Sequence, residues 1–518
     1  MSNYNDSPET KETEQFADTK TIRVRRHLWP EEVELRDTKK KLKASRIIGI
    51  CGVVAALIMG WLLGSILPLA ALRPVQNGIS TLIPMDSTKK IETILTIMEN
   101  DWYFGAGIED LDSRLTDQAL RGITSNEEDL HTEYMSAEEV QDFTQSINRN
   151  FVGIGVQFLS DNGLNMIEKV FRDSPAEKAG VLSGDIIHKI NGEIADGMNS
   201  AEIKERVMGD EGTDVTIEFL RQGEPVVLTI TRGKISATAF GKVLDDGTGY
   251  LELYQFGEGT GKEVKGYFDD MKAQGATKLI IDLRDNGGGY LTALTDVASY
   301  LLPKGTVVMK QEYSNGQKSE IRAKDGMYEN FKGIVILVNE NTASASEVLT
   351  LALKEQRDDV VIVGTTTYGK GTVQITQSFN DGSALKFTTS KWISPNEVWV
   401  NQVGIEPDET VRLHEALYRP YAGLEDDQVI HPDEVSTAVQ DMQLCLDYLG
   451  YAPGRTDGYY SAQTDAAFAA FRSDYDIAAS DGLDKTLYSA IASAVTRDWS
   501  LTDTHDLQLQ RAQEILHE

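Results

Sequence analysis

The sequence predicts a multidomain α/β protein. An N-terminal transmembrane helix precedes a helical region, a β-rich α+β domain, an α/β core and a small all-α C-terminal domain. First, 518 residues are enough for more than one hydrophobic core. Second, short apolar runs alternate with amphipathic helical patterns between residues 249 and 374, as in a sheet whose strands are buried on both faces. Third, residues 47–72 form one long apolar stretch.

The N-terminal segment predicts a single-pass membrane anchor. Residues 47–72 are apolar apart from Ser65, and these 26 residues exceed the roughly 20 that span a bilayer. The basic flank before them indicates that residues 1–46 are a cytoplasmic tail and that later residues lie outside the cytoplasm, at the cell membrane. A cleaved signal peptide is the alternative, but the polar tail and the apolar segment are both long for one. The flank contains Arg36, Lys39, Lys40, Lys41, Lys43 and Arg46.

Charge, cysteines and histidines exclude several classes of function. The formal net charge of -31 excludes nucleic acid as a partner, because such a surface repels phosphate. Cys51 and Cys445 lie too far apart in sequence to suggest a disulfide framework. The seven histidines form no HExxH or comparable cluster, which argues against a metal-dependent cell-wall amidase. We therefore expect no metal site and no cofactor.

Residues 87–150 predict a helical region, and residues 151–233 predict a peptide-binding domain. The turn Gly153-Ile154-Gly155-Val156 can point backbone N–H groups toward a carboxylate, and the adjacent strand edge can accept an extended peptide. Ser174 and Gly180 have the residue types of the N-cap and C-terminal stop of a short helix. A hairpin with ordinary glycines is the plainer interpretation of the same turn.

Two features of residues 234–415 indicate acyl-transfer chemistry. Ile334 to Val338 predicts a buried strand, and a helical pattern begins after Ser344, so this serine lies at the positive end of a helix. Most serines at such positions only cap the helix. Lys370, however, lies between glycines and before a β-like run, where a desolvated lysine is neutral and accepts a proton from Ser344.

The loop that carries Lys370 also matches part of a phosphate-binding loop. Gly364 to Gly371 reads G-x-x-x-x-G-K, but Gly371 stands where Ser or Thr would bind magnesium. The residues from Thr372 onward predict a strand, whereas phosphate binding needs a helix N-terminus. A nucleotide site is therefore not expected.

The motifs Thr342-Ala-Ser-Ala-Ser-Glu347 and Tyr368-Gly-Lys-Gly-Thr-Val-Gln374 resemble those of the carboxyl-terminal processing (tail-specific) serine proteases. The resemblance implies that Ser344 is the nucleophile, that Lys370 is the general base and that Gln374 orients the lysine. It covers roughly residues 87–411.

A glycine run in the same core suits an oxyanion hole. Residues 286–289 read Asn-Gly-Gly-Gly where the family has Asn-Pro-Gly-Gly, and glycines let backbone N–H groups approach a substrate carbonyl closely. We expect Gly288 and Ala345 to be the two donors.

Phe151 to Phe158, with Ser174 to Gly180 and Gly184 to Gly192, resembles a PDZ domain. This implies that residues 153–156 bind the free C-termini of protein or peptide substrates. Asp129 to Tyr134 resembles a segment that precedes the PDZ domain in the family, in a region that supports dimerisation, so a homodimer is a further expectation. For His131 a packing role fits better than a catalytic one.

Residues 431–499 resemble the small helical peptidoglycan-binding domain. The resemblance rests on Val439-Gln, Leu446-x-x-Leu-Gly-Tyr451, Asp457-Gly-Tyr-Tyr and Asp481-Gly482. It implies a cell-wall glycan or stem peptide as a partner and a domain separate from the core. A generic three-helix bundle is the alternative, since apolar residues at helical intervals mostly build cores.

Together these patterns predict a membrane-anchored extracytoplasmic serine endopeptidase that recognises substrate C-termini. Two alternatives are a PDZ scaffold with a silent or gated protease core and a cell-wall remodelling factor. The presence of Ser344, Lys370 and Gln374 argues against a silent core.

Overall fold

The computed structural model describes residues 86–148, 151–161, 164–172, 174–235, 238–419, 421, 423–425, 427–501 and 505–518. The predicted cytoplasmic tail and membrane span, residues 1–72, lie outside these ranges. Among the described residues, no helix combines the length and apolar character that a membrane crossing needs. The chain divides into two compact units after Glu92, and everything below except the start of the first helix belongs to the second unit.

The N-terminal region is mainly helical, as predicted. It comprises α1 (Ser87–Asn100), α2 (Leu111–Thr124), β1 (Glu133–Met135) and α3 (Ala137–Asn148). The helical interpretation misses β1, which pairs antiparallel with residues 384–386. This pairing attaches the N-terminal region to the core.

Residues 151–235 form a β-rich domain with two short helices. Its main sheet has β3 at one edge. The predicted helix signals are confirmed, because the Ser174 hydroxyl accepts a hydrogen bond from Glu177 N–H and Gly180 ends the helix with a φ of 86°. The elements are β2 (Phe151–Gly153), β3 (Val156–Asp161), β4 (Leu164–Val170), α4 (Pro175–Ala179), β5 (Ile186–Ile190), β6 (Glu193–Ile194), α5 (Ser200–Val207), β7 (Asp214–Arg221), β8 (Glu224–Thr231) and β9 (Gly233–Ile235).

The core contains a mostly parallel sheet with strand order β10-β11-β12-β15-β16-β19. Every residue of β12 and β15 is buried, as their continuous apolar runs predict. The elements are β10 (Ala239–Val243), β11 (Gly249–Leu253), α6 (Thr260–Ala273), β12 (Leu279–Asp282), α7 (Leu291–Ser299), β13 (Val307–Tyr313), β14 (Lys318–Arg322), β15 (Ile334–Val338), α8 (Ala345–Gln356), β16 (Val360–Gly364), β17 (Thr372–Ser378), β18 (Ala384–Ile393) and β19 (Glu409–Thr410).

The loops that follow three parallel strands meet at one edge of this sheet. The loop after β12 contains the glycine run, the loop after β15 contains Ser344 and the loop after β16 contains Lys370. Since the carboxyl ends of parallel strands share an edge, the topology brings these loops together.

A second sheet flanks the first, with strand order β1-β18-β13-β14 and β17 paired with β18. Residues 404–408 are irregular, and β19 begins at Glu409. Strand β19 therefore pairs with β16 through two residues, Glu409 and Thr410.

The C-terminal part is helical but does not form a separate body. It comprises β20 (Val429–Ile430), α9 (Thr437–Tyr448), α10 (Ala462–Asp474), β21 (Leu483–Asp484), α11 (Lys485–Leu501) and α12 (Leu507–His517). Its apolar cluster includes Leu164 and Met166 of β4. The Ser493 hydroxyl also donates to the Gly184 carbonyl. Side chains of the β-rich domain therefore pack into the same apolar cluster as residues 431–499, and the predicted bounds of a separate domain stay a prediction.

The sequence patterns above do not predict α12. Leu509 and Ala512 of this helix pack with Ile280, Val335 and Val363 of the parallel sheet. Neighbouring residues of the same strands point into the larger cluster that contains residues of α6, α7 and α8. Helix α12 thus covers the second face of the sheet.

Candidate active site

Ser344 lies on a sharp turn between β15 and α8. Its φ of 57° and ψ of -117° fall outside the helical and extended regions. Such a conformation costs on the order of 1–3 kcal/mol in a residue with a side chain. The serine is half-buried and precedes the first turn of α8, whose N–H groups favour negative charge. The predicted strand, serine and helix are confirmed, and the backbone strain adds to them.

The carboxylate of Glu347 joins the serine turn to the lysine loop. Oε2 accepts hydrogen bonds from the backbone N–H groups of Ser344, at 2.8 Å, and Lys370, at 2.9 Å. Oε1 accepts from the Thr367 hydroxyl at 2.6 Å and from Gly369 N–H at 2.7 Å. The side chain is fully buried. Glu347 is not among the predicted site residues, although Ser-x-x-Glu before an apolar helix is the pattern of a capping box.

Lys370 follows β16 in a loop held on both sides. Its backbone carbonyl accepts a hydrogen bond from the Trp392 indole at 2.7 Å. Its backbone N–H donates to Glu347, as described above. Burial, and second the positive charge of Lys386, lower the pKa of Lys370 from its ordinary value. Both effects increase the neutral fraction that a general base requires.

Gln374 lies on β17, beside a bulge, and contacts hydroxyl groups. Its amide nitrogen donates to Thr372 Oγ1 at 2.9 Å and to Thr388 Oγ1 at 3.1 Å. Within the described residues, Gln374 makes no hydrogen bond to Lys370. That Gln374 orients Lys370 therefore stays a prediction.

The segment before β1 in the N-terminal region contacts Thr388, which is also a partner of Gln374. The Thr388 hydroxyl donates to Asp129 Oδ1 at 3.1 Å, and Thr388 N–H donates to the Thr132 hydroxyl at 3.1 Å. Burial, and second the charge of Lys370, lower the pKa of His131. The charge of Lys370 thus acts on His131, in addition to the packing role that the sequence predicts.

Gly288 and Ala345, the two expected oxyanion donors, lie side by side. A Cβ added to Gly288 would lie 2.9 Å from both Ala345 N and the Ser344 Cβ. The φ of 103° at Gly288 also requires glycine. Gly288 N–H donates to Asn286 Oδ1 at 2.9 Å. In this conformation the N–H is therefore bound by its own loop and does not point to a substrate oxygen.

The predicted peptide-binding residues line a groove of about 370 Å³. Residues 153–156 form one wall, and Val207 and Met208 at the end of α5 form another. Asp142 of α3 and Gln255 of the core also line it. Because β3 is an edge strand, an extended peptide can pair with it in this groove.

Two other expectations concern metal sites and cysteines. Across the ranges that the structure describes, no group of three or more His, Cys, Asp or Glu side chains is arranged to hold a metal ion. Cys445 is buried as a free thiol, and burial raises its pKa to about 12. Cys51 lies outside the described residues.

Comparison with known proteins identifies two families along the chain. Peptidase family S41 matches residues 247–411, and the PDZ domain family matches residues 166–221. The carboxy-terminal processing protease CtpA of Bacillus subtilis (strain 168) is 34% identical over 342 residues, which cover 66% of this chain and 72% of that protein. A probable CtpA-like serine protease of Staphylococcus epidermidis is 31% identical over 399 residues, 77% of this chain and 80% of that protein. The solved photosystem II D1 C-terminal processing protease aligns with a TM-score of 0.39 and 22% identity, over 63% of this chain and 94% of that chain.

Proposed function

This chain belongs to peptidase family S41, the carboxy-terminal processing serine proteases, and we propose that Ser344 and Lys370 carry out its reaction. The observation that supports this most is the bond of one buried carboxylate, Glu347, to the backbone N–H groups of both residues. A nucleophile on a strained turn and a lysine with a lowered pKa are thereby held by one side chain.

In the proposed reaction, Ser344 Oγ attacks the scissile carbonyl and Lys370 Nζ takes the hydroxyl proton. The oxyanion of the tetrahedral intermediate accepts hydrogen bonds from Ala345 N–H and from Gly288 N–H, once the latter leaves Asn286. Lys370 then gives its proton to the leaving amine, and the C–N bond breaks. A water molecule, deprotonated by Lys370, releases the acyl group from Ser344 by the reverse sequence.

The test is labelling with a fluorophosphonate together with a peptidase assay. We expect the label on Ser344, and we expect Ser344→Ala and Lys370→Arg each to lower kcat by at least about 10³-fold, because arginine does not release its proton. Lys354→Arg is the matched control, since Lys354 instead pairs with Asp408 at 2.9 Å. Wild-type kcat in Lys370→Arg would exclude Lys370 as the base.

We further propose that the groove between β3 and α5 binds the C-terminus of the substrate. The half-buried apolar side chains of Val156, Phe158 and Met208 suit an apolar last residue, and the glycine turn suits its carboxylate. Two otherwise identical peptides, one with a free and one with an amidated C-terminus, test this. Equal kcat/KM for both would contradict recruitment by the groove.

Peptide binding also has a short route to the oxyanion loop, which supports a gated enzyme. Gln255 lines the groove, and the next residue, Phe256, donates to the Gly288 carbonyl at 2.9 Å. The Phe256 carbonyl accepts from Tyr290 N–H at 2.8 Å. We infer that a bound peptide shifts this segment and releases Gly288 N–H. A separate C-terminal peptide should then raise the cleavage rate of an amidated substrate, and an unchanged rate would contradict gating.

The location and the other partners remain proposals. The apolar span at 47–72 supports a membrane anchor, and protease added to intact protoplasts should digest the residues after it. The helices within 431–499 support peptidoglycan binding, which pelleting of the full chain with purified sacculi tests; a chain that stays in the supernatant contradicts it.

A homodimer is supported by exposed apolar side chains of the N-terminal region. Tyr103 is 85% exposed and its neighbour Phe104 70%, and Leu130 of the same region is 83% exposed; exposed apolar side chains of this size are typical of interaction surfaces. Light scattering of the purified chain tests the proposal. A monomer at concentrations where the enzyme is active would contradict it.

A further inference from the structure

Arg284, at the start of the oxyanion loop, is bound by a residue of the C-terminal segment. Its guanidinium makes hydrogen bonds to Asp282 through Nε at 2.9 Å and Nη2 at 2.6 Å. It also binds Asp506 through Nη1 at 2.9 Å and Nη2 at 2.8 Å, and Gln508 through Nη1 at 3.2 Å. All five N–H donors of the guanidinium are therefore engaged. Its side chain is 11% exposed, so these contacts lie in the interior.

The residues after Arg284 are tied in turn to the loop that carries the nucleophile. Asp285 N–H donates to Asn339 Oδ1 at 2.9 Å, and Asp285 has a φ of 60°. The Asn286 carbonyl accepts from Ala343 N–H and from the Ser346 hydroxyl, each at 3.0 Å. These two donors flank the turn at Ser344. A displacement of Arg284 is thus passed to the oxyanion loop and to the nucleophile turn.

Asp506 is held in place by the docking of α12. Its Oδ1 accepts from Leu509 N–H at 3.0 Å and so caps the helix. Leu509 and Ala512 pack against the parallel sheet. The Gln508 amide donates to the Val411 carbonyl at 2.7 Å, and Arg511 pairs with Glu409 at 2.6 Å. The helix is therefore fixed to the core at both its apolar and its polar side.

We propose that Asp506 is a positioning residue for the peptidase reaction: through Arg284 it holds the oxyanion loop, so helix α12 is part of the working active site. The proposal rests on the proposed function of Ser344. Without the Asp506 carboxylate, the buried guanidinium of Arg284 keeps only one carboxylate partner, Asp282. It also loses the contact that fixes it to helix α12. Small displacements of reacting groups lower kcat by large factors, whereas substrate binding in the distant groove is unaffected.

The test compares Asp506→Asn with Arg511→Gln in the full chain. Asparagine still caps α12, but its amide NH2 cannot accept from Arg284. We expect kcat to fall about 10- to 100-fold with KM within about twofold. Fluorophosphonate labelling of Ser344 should slow in parallel. Arg511→Gln removes an ion pair between the same helix and the core without touching Arg284, so it should lower the thermal midpoint but leave kcat within about threefold.

The outcomes separate this inference from the proposed function. If Asp506→Asn lowers the thermal midpoint but keeps wild-type kcat, Asp506 has only a structural role and the inference is overturned. If wild-type Ser344 takes no label and Ser344→Ala still cleaves, the proposed function fails instead. Should Asp506→Asn not fold, Gln508→Ala removes the weakest acceptor of Arg284. A kcat loss of at least threefold in that variant supports the inference, and unchanged kcat overturns it.

Discussion

Replacing Glu347 with glutamine is the sharpest test of how the candidate site is held together. The carboxylate accepts four hydrogen bonds, whereas a glutamine of the same shape has one acceptor oxygen and one donor NH2. If the oxygen faces Ser344 and Lys370, the NH2 can still donate to the Thr367 hydroxyl, but Gly369 N–H loses its acceptor. The reverse orientation leaves both Ser344 N–H and Lys370 N–H without one and is worse.

The magnitude follows from these contacts. A buried N–H without an acceptor costs about 1–3 kcal/mol. The bonds from Ser344 and Lys370 lose a charged acceptor, which weakens each by about 1 kcal/mol. We therefore expect Glu347→Gln to lower the free energy of unfolding by about 3–5 kcal/mol. Since the serine turn and the lysine loop lose their common partner, kcat should fall about 100-fold.

Urea unfolding followed by tryptophan fluorescence measures the first effect. The indole groups of Trp392 and Trp399 donate to the carbonyls of Lys370 and Gly371, so they report on the lysine loop. Glu355→Gln is the control, because Glu355 lies on the same helix and, among the described residues, accepts only from the Ser394 hydroxyl and Asn396 N–H, both of which glutamine can satisfy. It should cost under about 1 kcal/mol. Wild-type stability and a kcat within threefold in Glu347→Gln would show that Glu347 does not hold the serine turn and the lysine loop together.

Four further predictions concern the base, the oxyanion hole and Gln374. Because burial and the charge of Lys386 lower the pKa of Lys370, kcat/KM should rise with pH through an apparent pKa below the ordinary lysine value of about 10.4; a rate independent of pH would contradict this. Lys386→Met removes a positive charge and should move the pH–rate curve to higher pH, whereas an unmoved curve would show that Lys386 has no influence. Gly288→Ala keeps the backbone N–H but places a Cβ 2.9 Å from that of Ser344 at a φ of 103°, and should lower kcat about 10²- to 10³-fold, measured with a saturating peptide; a loss under tenfold would show that the close packing of Gly288 on the Ser344 turn is not needed for the rate. Gln374→Ala should lower kcat less than about fivefold, since in the part of the chain that the structure describes the Gln374 side chain binds only threonine hydroxyls; a loss comparable to that of Lys370→Arg would assign it a direct role.

The elements that carry the candidate residues were predictable because their signals are local. A strand buried on both faces has a continuous apolar run, so β15 and β16 are recognisable without any knowledge of their neighbours. The helix after Ser344 is recognisable because its apolar residues recur at helical spacing from its first turns onward. Ser174 and Gly180 likewise mark the ends of α4 by their own backbone requirements.

The partners of those residues were not predictable, because they come from distant parts of the chain. Thr388 contacts Asp129 across 259 positions, and Arg284 contacts Asp506 across 222. A sequence pattern shows that Asp506 is polar, but not that a buried arginine lies opposite it. The same limit applies to residues 431–499, whose helices are visible in the sequence but whose core is completed by Leu164 and Met166.

Four features follow from the sequence alone: the PDZ domain before the protease core, the serine at a strand-to-helix turn, the lysine between glycines and the glycine run before them. These depend on residue type and short spacing, which act through local backbone geometry and burial. Which side chains hold the serine turn, the lysine loop and the oxyanion loop in place depends on the tertiary structure. Glu347 joins the serine and lysine loops, and the C-terminal helix reaches the oxyanion loop through Asp506 and Arg284. Such contacts form only when parallel strands bring their loops to one edge and a distant helix packs on the sheet, because hydrogen bonds and ion pairs act over a few ångströms whatever the separation in sequence.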